Sequence, residues 1–375
     1  MNKYETYRLL GKILALDTLP SHREAVVSEL QREDMKWQGF VAVADQNLIL
    51  QALYPKLNDH KLNDHLPKEV IEHLKYIFEL TTSRNQQIIH QSEKLNGILQ
   101  KENIQAVFMK GVGNILDGLY RYPGERILHD IDILVGDEVF ETVADILHAN
   151  AYQSKQTYEP SKKDRTKHYP ILFKVGEPVY VELHRMPVGN RYTRIFNTET
   201  AFRDARPASA SSGFLVMSDE HKIIHNFIHA QFDHNGRVYA RESMRNIYDV
   251  FLLSARKDLE LVFQDFGHFR RTSSGYLDIV YDTFGNSPPT RLSPAFFLHT
   301  FRTRFILNLR YRFVGIASFF LIRSFLGYVV KPFRAIGDKE MRTDLRNKIS
   351  NPDWYKKQAG LYRRIFGIGR GKTKP

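Results

Sequence analysis

Two aspartates one residue apart are the groups in this 375-residue chain best placed to do chemistry: Asp130 and Asp132, in His129-Asp130-Ile131-Asp132-Ile133-Leu134-Val135. In a strand, alternate side chains share a face, so both carboxylates project together while Ile131 and Ile133 project into a core. Adjacent carboxylates repel, and a divalent cation is the usual relief. Hard oxygen donors favour Mg²⁺ or Mn²⁺. An edge strand that shows charge to solvent would carry the same pattern. A third acid follows in Val179-Tyr180-Val181-Glu182-Leu183-His184, where Glu182 and His184 share a face. Upstream stands Lys110-Gly111-Val112-Gly113. Glycines let backbone N–H groups approach an anion, and a following helix N-terminus favours negative charge. A tight strand-to-helix turn also needs glycine. The Walker spacing is absent, so this is not a P-loop.

These residues require strands to hold them. Ile104–Met109 reads as a short buried strand, followed by a helix over 114–120 and a turn at Tyr122-Pro123-Gly124. Asp130–Val135 reads as a strand and 137–149 as a helix. Strands at 169–175 and 179–184 form a hairpin across Gly176-Glu177-Pro178. That order makes a small α/β or α+β domain. The first hundred residues have helical spacing, with runs at 7–16, 69–80 and 85–100; Ile88, Ile89, Leu95, Ile98 and Leu99 form the buried side of the last. The pentapeptide KLNDH occurs twice in tandem, at 56–60 and 61–65, and reads as a duplicated loop. Residues 191–213 read as irregular. Ser218 is a cap for a helix through His229, and a further helix covers 241–255. The predicted segments are 1–100 (helical), 101–200 (carrying the acids), 214–300 (helical) and 301–375 (basic, with an apolar helix).

Composition narrows the chemistry further. The chain contains no cysteine, which excludes disulfides, thiolate nucleophiles and cysteine metal sites. The first ten residues lack the basic-then-apolar pattern of a secretory leader. Residues 301–375 hold 18 Lys+Arg against 4 Asp+Glu, whereas the preceding 300 hold 36 against 38. A near-neutral body thus carries a basic tail, suited to a membrane surface or nucleic acid, or simply to solvent. Within it, Phe313–Val330 has one charge, Arg323, and is flanked by Arg310, Arg312, Lys331 and Arg334. It reads as an interfacial helix or a buried one, and is marginal for a span. His221, His225 and His229 recur every four residues, but with no Glu base between them they read as polar or buried helix residues. Arg241, Arg245 and Asp249, spaced by four, read as intrahelical ion pairs or as contacts for an acceptor, the ion pairs being favoured.

Taken together, Lys110-Gly111, Leu119-Tyr120, Arg126, Asp130-Ile131-Asp132 and Glu182-Leu183-His184 resemble the uncharacterised bacterial nucleotidyltransferase family of the DNA-polymerase-β-like superfamily, over about residues 85–255. The wider superfamily has Gly-Gly or Gly-Ser closer to the acids; here nineteen residues separate Gly111 from Asp130. The resemblance implies an α+β fold: a small nucleotidyltransferase-type mixed sheet flanked by N- and C-terminal helical segments. It implies transfer of a nucleotidyl group from an NTP to a hydroxyl of an unknown acceptor. Asp130, Asp132 and Glu182 would hold Mg²⁺ (or Mn²⁺), with Glu182 helping to deprotonate the acceptor. Lys110, Gly111, Gly113 and Arg126 would bind the nucleotide. Two other readings stay open. One is a catalytically silent protein of this fold, binding membrane or nucleic acid through its basic C-terminus; the other is a metal-dependent nuclease. The expected location is the cytoplasm, with residues 304–335 a contact for an anionic membrane inner face; nucleic acid is the weaker candidate partner.

Overall fold

The structure, a computed structural model, describes residues 1–158, 166–264, 269–285, 295–337 and 339–366. It forms two compact units, Met1–Gly236 with Glu242–Arg302, and Arg237–Arg241 with Thr303–Pro375. The last fifteen residues, 361–375, with Gly367, Gly369 and Gly371 among basic residues, read as mobile from the sequence; 361–366 instead finish the helix Pro352–Phe366, and 367–375 lie outside the described residues.

The first unit opens with the helix Lys3–Leu14. Asn2 accepts from the Glu5 amide, and the Glu5 carboxylate accepts from the Asn2 amide, closing a capping box. The helices expected at 69–80 and 85–100 are one, the 34-residue helix Lys68–Lys101. Nothing at the join breaks it: Thr81 and Thr82 donate their hydroxyls to the carbonyls of Ile77 and Phe78 one turn back. Ile88, Leu95 and Leu99 are buried as their spacing requires, while Ile89 and Ile98 are half-buried. The two KLNDH copies fold differently. The first finishes the helix Leu50–Asp59, with Lys56 buried between Asp17 at 2.6 Å and Glu125 at 2.8 Å. The second makes a turn and the 3₁₀ segment Asn63–His65.

Seven strands form one mixed sheet: β1 Val107–Phe108, β2 Asp130–Leu134, β3 Gln153–Ser154, β4 Leu172–Phe173, β5 Tyr180–His184, β6 Arg206–Pro207 and β7 Leu215–Val216. Their order is β3-β4-β5-β2-β1-β7-β6. The α+β architecture, with helices flanking a mixed sheet, is the expected one. β2 lies in the middle, antiparallel to β1 and parallel to β5. Ile131 and Ile133 are fully buried beneath it. The stretch read as irregular, 191–213, contains β6 and the helix Thr198–Arg203, capped by Asn197. Two-residue strands are too short to show alternation in the sequence.

Three boundaries near the acids differ from expectation. The Ile104–Met109 run supplies only two strand residues. The next helix starts at Lys110 and ends at Leu116, so Gly111 and Gly113 lie inside it. A Cβ on Gly113 would sit 2.3 Å from the Phe108 carbonyl oxygen. Glycine there lets this helix pack directly on its own strand. Ser218 caps the helix Asp219–Ile228 through the His221 amide, and a π turn, His229–Asp233, follows. The helix expected from Arg241 runs Met244–Ser254.

In the second unit, the helices Arg312–Phe325 and Lys331–Gly337 are joined by a π turn, Leu326–Val330. Together they extend the apolar segment to Phe313–Gly337, long and apolar enough to cross a membrane by length and composition. The helix Lys339–Ile349 follows.

Candidate active site

The parallel pairing of β2 and β5 sets Asp132 opposite Glu182 and Leu134 opposite His184. Since the strand period is two, Asp130, Asp132, Glu182 and His184 all belong to one face. His184 Nε2 donates to Asp132 Oδ1 at 2.8 Å and lies 3.3 Å from Glu182 Oε2. His184 thus orients both acids. Lys110, first residue of the helix after β1, donates to Asp132 and lies 3.6 Å from Glu182. Its backbone is left-handed, φ +50°, a conformation a lysine adopts at some cost. Asp130, Asp132, Glu182, Lys110 and Gly111 line one cleft of about 570 Å³.

The acids are not equivalent. Burial works against the Asp132 charge, but Lys110 and His184 outweigh it and hold this carboxyl far below its ordinary range. The His184 hydrogen bond lowers Glu182. Burial, then the Asp132 charge, pushes Asp130 up to about 6. Three carboxyls thus share one face with the single ammonium of Lys110 and the His184 imidazole. Ligand atoms of Asp132, Glu182 and His184 lie within 4.8 Å of one another, the one such group found among the described residues. Two carboxylates and an imidazole, with Asp130 on the same face, are a donor set that a hard divalent cation fits.

Basic and imidazole side chains line the same cleft: Lys167, His168, His229, His234 and Arg245. Asp233 ties two of them, 3.1 Å from Lys167 Nζ and 3.8 Å from His229 Nδ1. His229 and His234 meet through their Nε2 atoms at 3.0 Å. Burial draws His229 down to about 4, leaving it neutral at pH 7. Burial, then the charge of Arg126, lowers Arg245 to about 10. Among the described residues, the Arg245 Nε has no hydrogen-bond partner.

Two expected nucleotide ligands are engaged elsewhere. Arg126, which touches the cleft edge, forks onto Asp249, with Nε and Nη2 each 3.1 Å from a carboxylate oxygen. Tyr120 donates its hydroxyl to the same carboxylate at 2.6 Å. Asp249 thus pairs across the fold, instead of along its own helix with Arg245. Gly113 packs against β1. Of the histidines spaced by four, His225 is buried and donates to the Pro187 carbonyl, His221 faces Asp204, and only His229 reaches the cleft. Lys167 and His168 carry no signal in the sequence. They precede the β4–β5 hairpin in a stretch without periodicity, and only the fold brings them to the acids.

A family model described as uncharacterised nucleotidyltransferase matches residues 33–268, well over half of the chain, taking in the sheet, the acids and the basic residues of the cleft. No curated protein and no solved structure matches.

Proposed function

We infer, for a chain that belongs to the uncharacterised nucleotidyltransferase family, that the cleft transfers a nucleotidyl group from an NTP to a hydroxyl of its acceptor. The acceptor oxygen forms a bond to the α-phosphorus, the bond from that phosphorus to the bridging oxygen breaks, and pyrophosphate leaves. Asp130, Asp132 and Glu182 would hold the divalent cation, Mg²⁺ or Mn²⁺, with His184 setting the orientation of two of them. When bound, the cation supplies Lewis-acid neutralisation of phosphate charge. Glu182, on the cleft side of β5, takes the proton of the acceptor hydroxyl. Lys110 exchanges its carboxylate partners for phosphate oxygens, beside Gly111. Arg126 and Gly113 serve the nucleotide indirectly, Arg126 by fixing the cleft edge through Asp249 and Gly113 by seating the Lys110 helix on β1. Lys167, His234 and Arg245 face the same space and suit the anionic part of either substrate.

The register pairing of Asp132 with Glu182, with Asp130 on the same face, carries this reading. The test is incubation with labelled NTPs and hydroxyl-bearing acceptors, with Mg²⁺ or with EDTA. Label transferred only with the metal supports it. NTP-independent cleavage of nucleic acid would favour the nuclease. Nucleotide binding without transfer to any acceptor would favour a silent protein, a reading to which the Lys110–Asp132 pair lends weight because it offsets one carboxylate of the site without an ion.

A further inference from the structure

The second unit holds a surface that the cleft does not use. The helix Phe313–Gly337 has 6% of its apolar window buried. One side of it is occupied within its own unit. Arg241 donates to the Gly315 carbonyl at 3.1 Å and stacks over the Phe319 ring at 4.7 Å. The opposite side is bare: Leu321, Phe325, Tyr328, Phe333 and Ile336 are between 58 and 76% exposed. Their spacing is four, three, five and three. The five-residue step crosses the π turn Leu326–Val330, whose extra residue keeps the two halves of the stripe in line.

We propose that this stripe is a membrane-surface helix, lying in the interface of an anionic bilayer with its apolar side chains among the acyl chains. Charge selects that occupant. From Thr303 to Gly337 the chain of this unit has six Lys and Arg residues and no Asp or Glu. Lys331 and Arg334 are exposed beside the stripe. A second copy of the chain would bring like charges together, whereas anionic headgroups complement them. Because the helix already packs on one side, it lies along the membrane and does not cross it. The proposal is independent of the reaction assigned to the cleft.

The test is co-sedimentation of the full chain with vesicles of phosphatidylglycerol and phosphatidylcholine, and with phosphatidylcholine alone. The expected result is binding to the anionic vesicles, weak binding to neutral ones, and partial release at 0.5 M salt, since exposed charges are screened within ~5 Å there. The triple variant Leu321→Ser, Phe325→Ser, Phe333→Ser should lose at least about tenfold in vesicle affinity. These side chains are exposed, so an unchanged circular dichroism melt is expected. If that variant melts early, the stripe is core and the proposal fails. Lys331→Glu with Arg334→Glu provides the second arm, weakening binding to anionic vesicles only. Vesicle affinity unchanged in the triple variant overturns the proposal. So does a lipid-free dimer, seen by analytical ultracentrifugation, that the triple variant abolishes. A wild-type chain that retains a labelled oligonucleotide and ignores vesicles overturns it as well.

Discussion

Asp132 and Glu182 face each other in register across two parallel strands, and the ammonium of Lys110 lies against both. Two acids of the site thus share one ammonium in the protein alone, while burial and the Asp132 charge act against the Asp130 carboxylate.

That asymmetry predicts opposite effects of two similar substitutions. Asp132→Asn removes the partner of a part-buried lysine and should destabilise the metal-free protein by ~1–3 kcal/mol. Asp130→Asn removes a repulsive charge and should stabilise it by on the order of 1 kcal/mol. Calorimetry in EDTA checks both signs. Each variant should also lose nucleotidyl transfer.

The pH dependence follows from the same carboxyl. With its folded value raised to about 6 from an ordinary 3.8, Asp130 binds more protons folded than unfolded. This residue's contribution is therefore present below pH 4 and is lost as pH rises to about 6. The difference between wild type and Asp130→Asn, measured by urea unfolding without metal, should grow across that window. A constant difference would place the Asp130 carboxyl outside the repulsion.

Glu182→Gln should lower the transfer rate by about 10²–10⁴-fold while nucleotide binding persists. Single-turnover kinetics alongside equilibrium titration with a fluorescent NTP separates the two. Loss of binding with an unchanged chemical step would remove Glu182 from the proton-transfer role.

Arg126 and Asp249 are buried together, so breaking their pair strands a charge. Asp249→Asn should cost ~3–5 kcal/mol. Arg126→Lys keeps the charge but loses the two-pronged geometry, and should also destabilise. If thermal melts are unchanged and only nucleotide affinity falls, Arg126 contacts the substrate directly.

Gly113→Ala should destabilise by ~1–3 kcal/mol, since its methyl would meet the backbone of Phe108. Gly111→Ala presses on the end of the Leu128 side chain, which can move, and meets Arg126 at an ordinary 3.7 Å, so it should cost less. Parallel thermal melts rank the two.

The acids were legible because a strand's period of two is visible in five residues: Asp130-Ile131-Asp132-Ile133-Leu134 and Tyr180-Val181-Glu182-Leu183-His184 each announce a face. The Ser218 cap was legible for a similar local reason. Partners across the fold were not. Nothing near Asp249 points to Arg126, and the four-residue spacing from Arg245 suggested the wrong pairing. Lys167 joins the cleft through tertiary contacts alone. The two KLNDH copies show the limit plainly. Identical residues became a helix end in one copy and a turn in the other, because only the first lysine has Asp17 and Glu125 to meet.

The long helix Lys68–Lys101 never enters the cleft, yet its side chains hold the chain on both sides of the acids. Asn85 donates to the carbonyls of Pro123 and Arg126, Arg84 to that of Leu128, Gln91 to that of Val179, and Asn96 to that of Gly213. Those carbonyls precede β2, β5 and β7 in turn. The helix therefore acts as a ruler whose marks set where each strand begins. One alanine inserted between Asn85 and Gln91 would rotate every later mark by about 100°. β2 would stay pinned while β5 lost its anchor, so Asp132 and Glu182 would slip past one another although no residue of the site had changed.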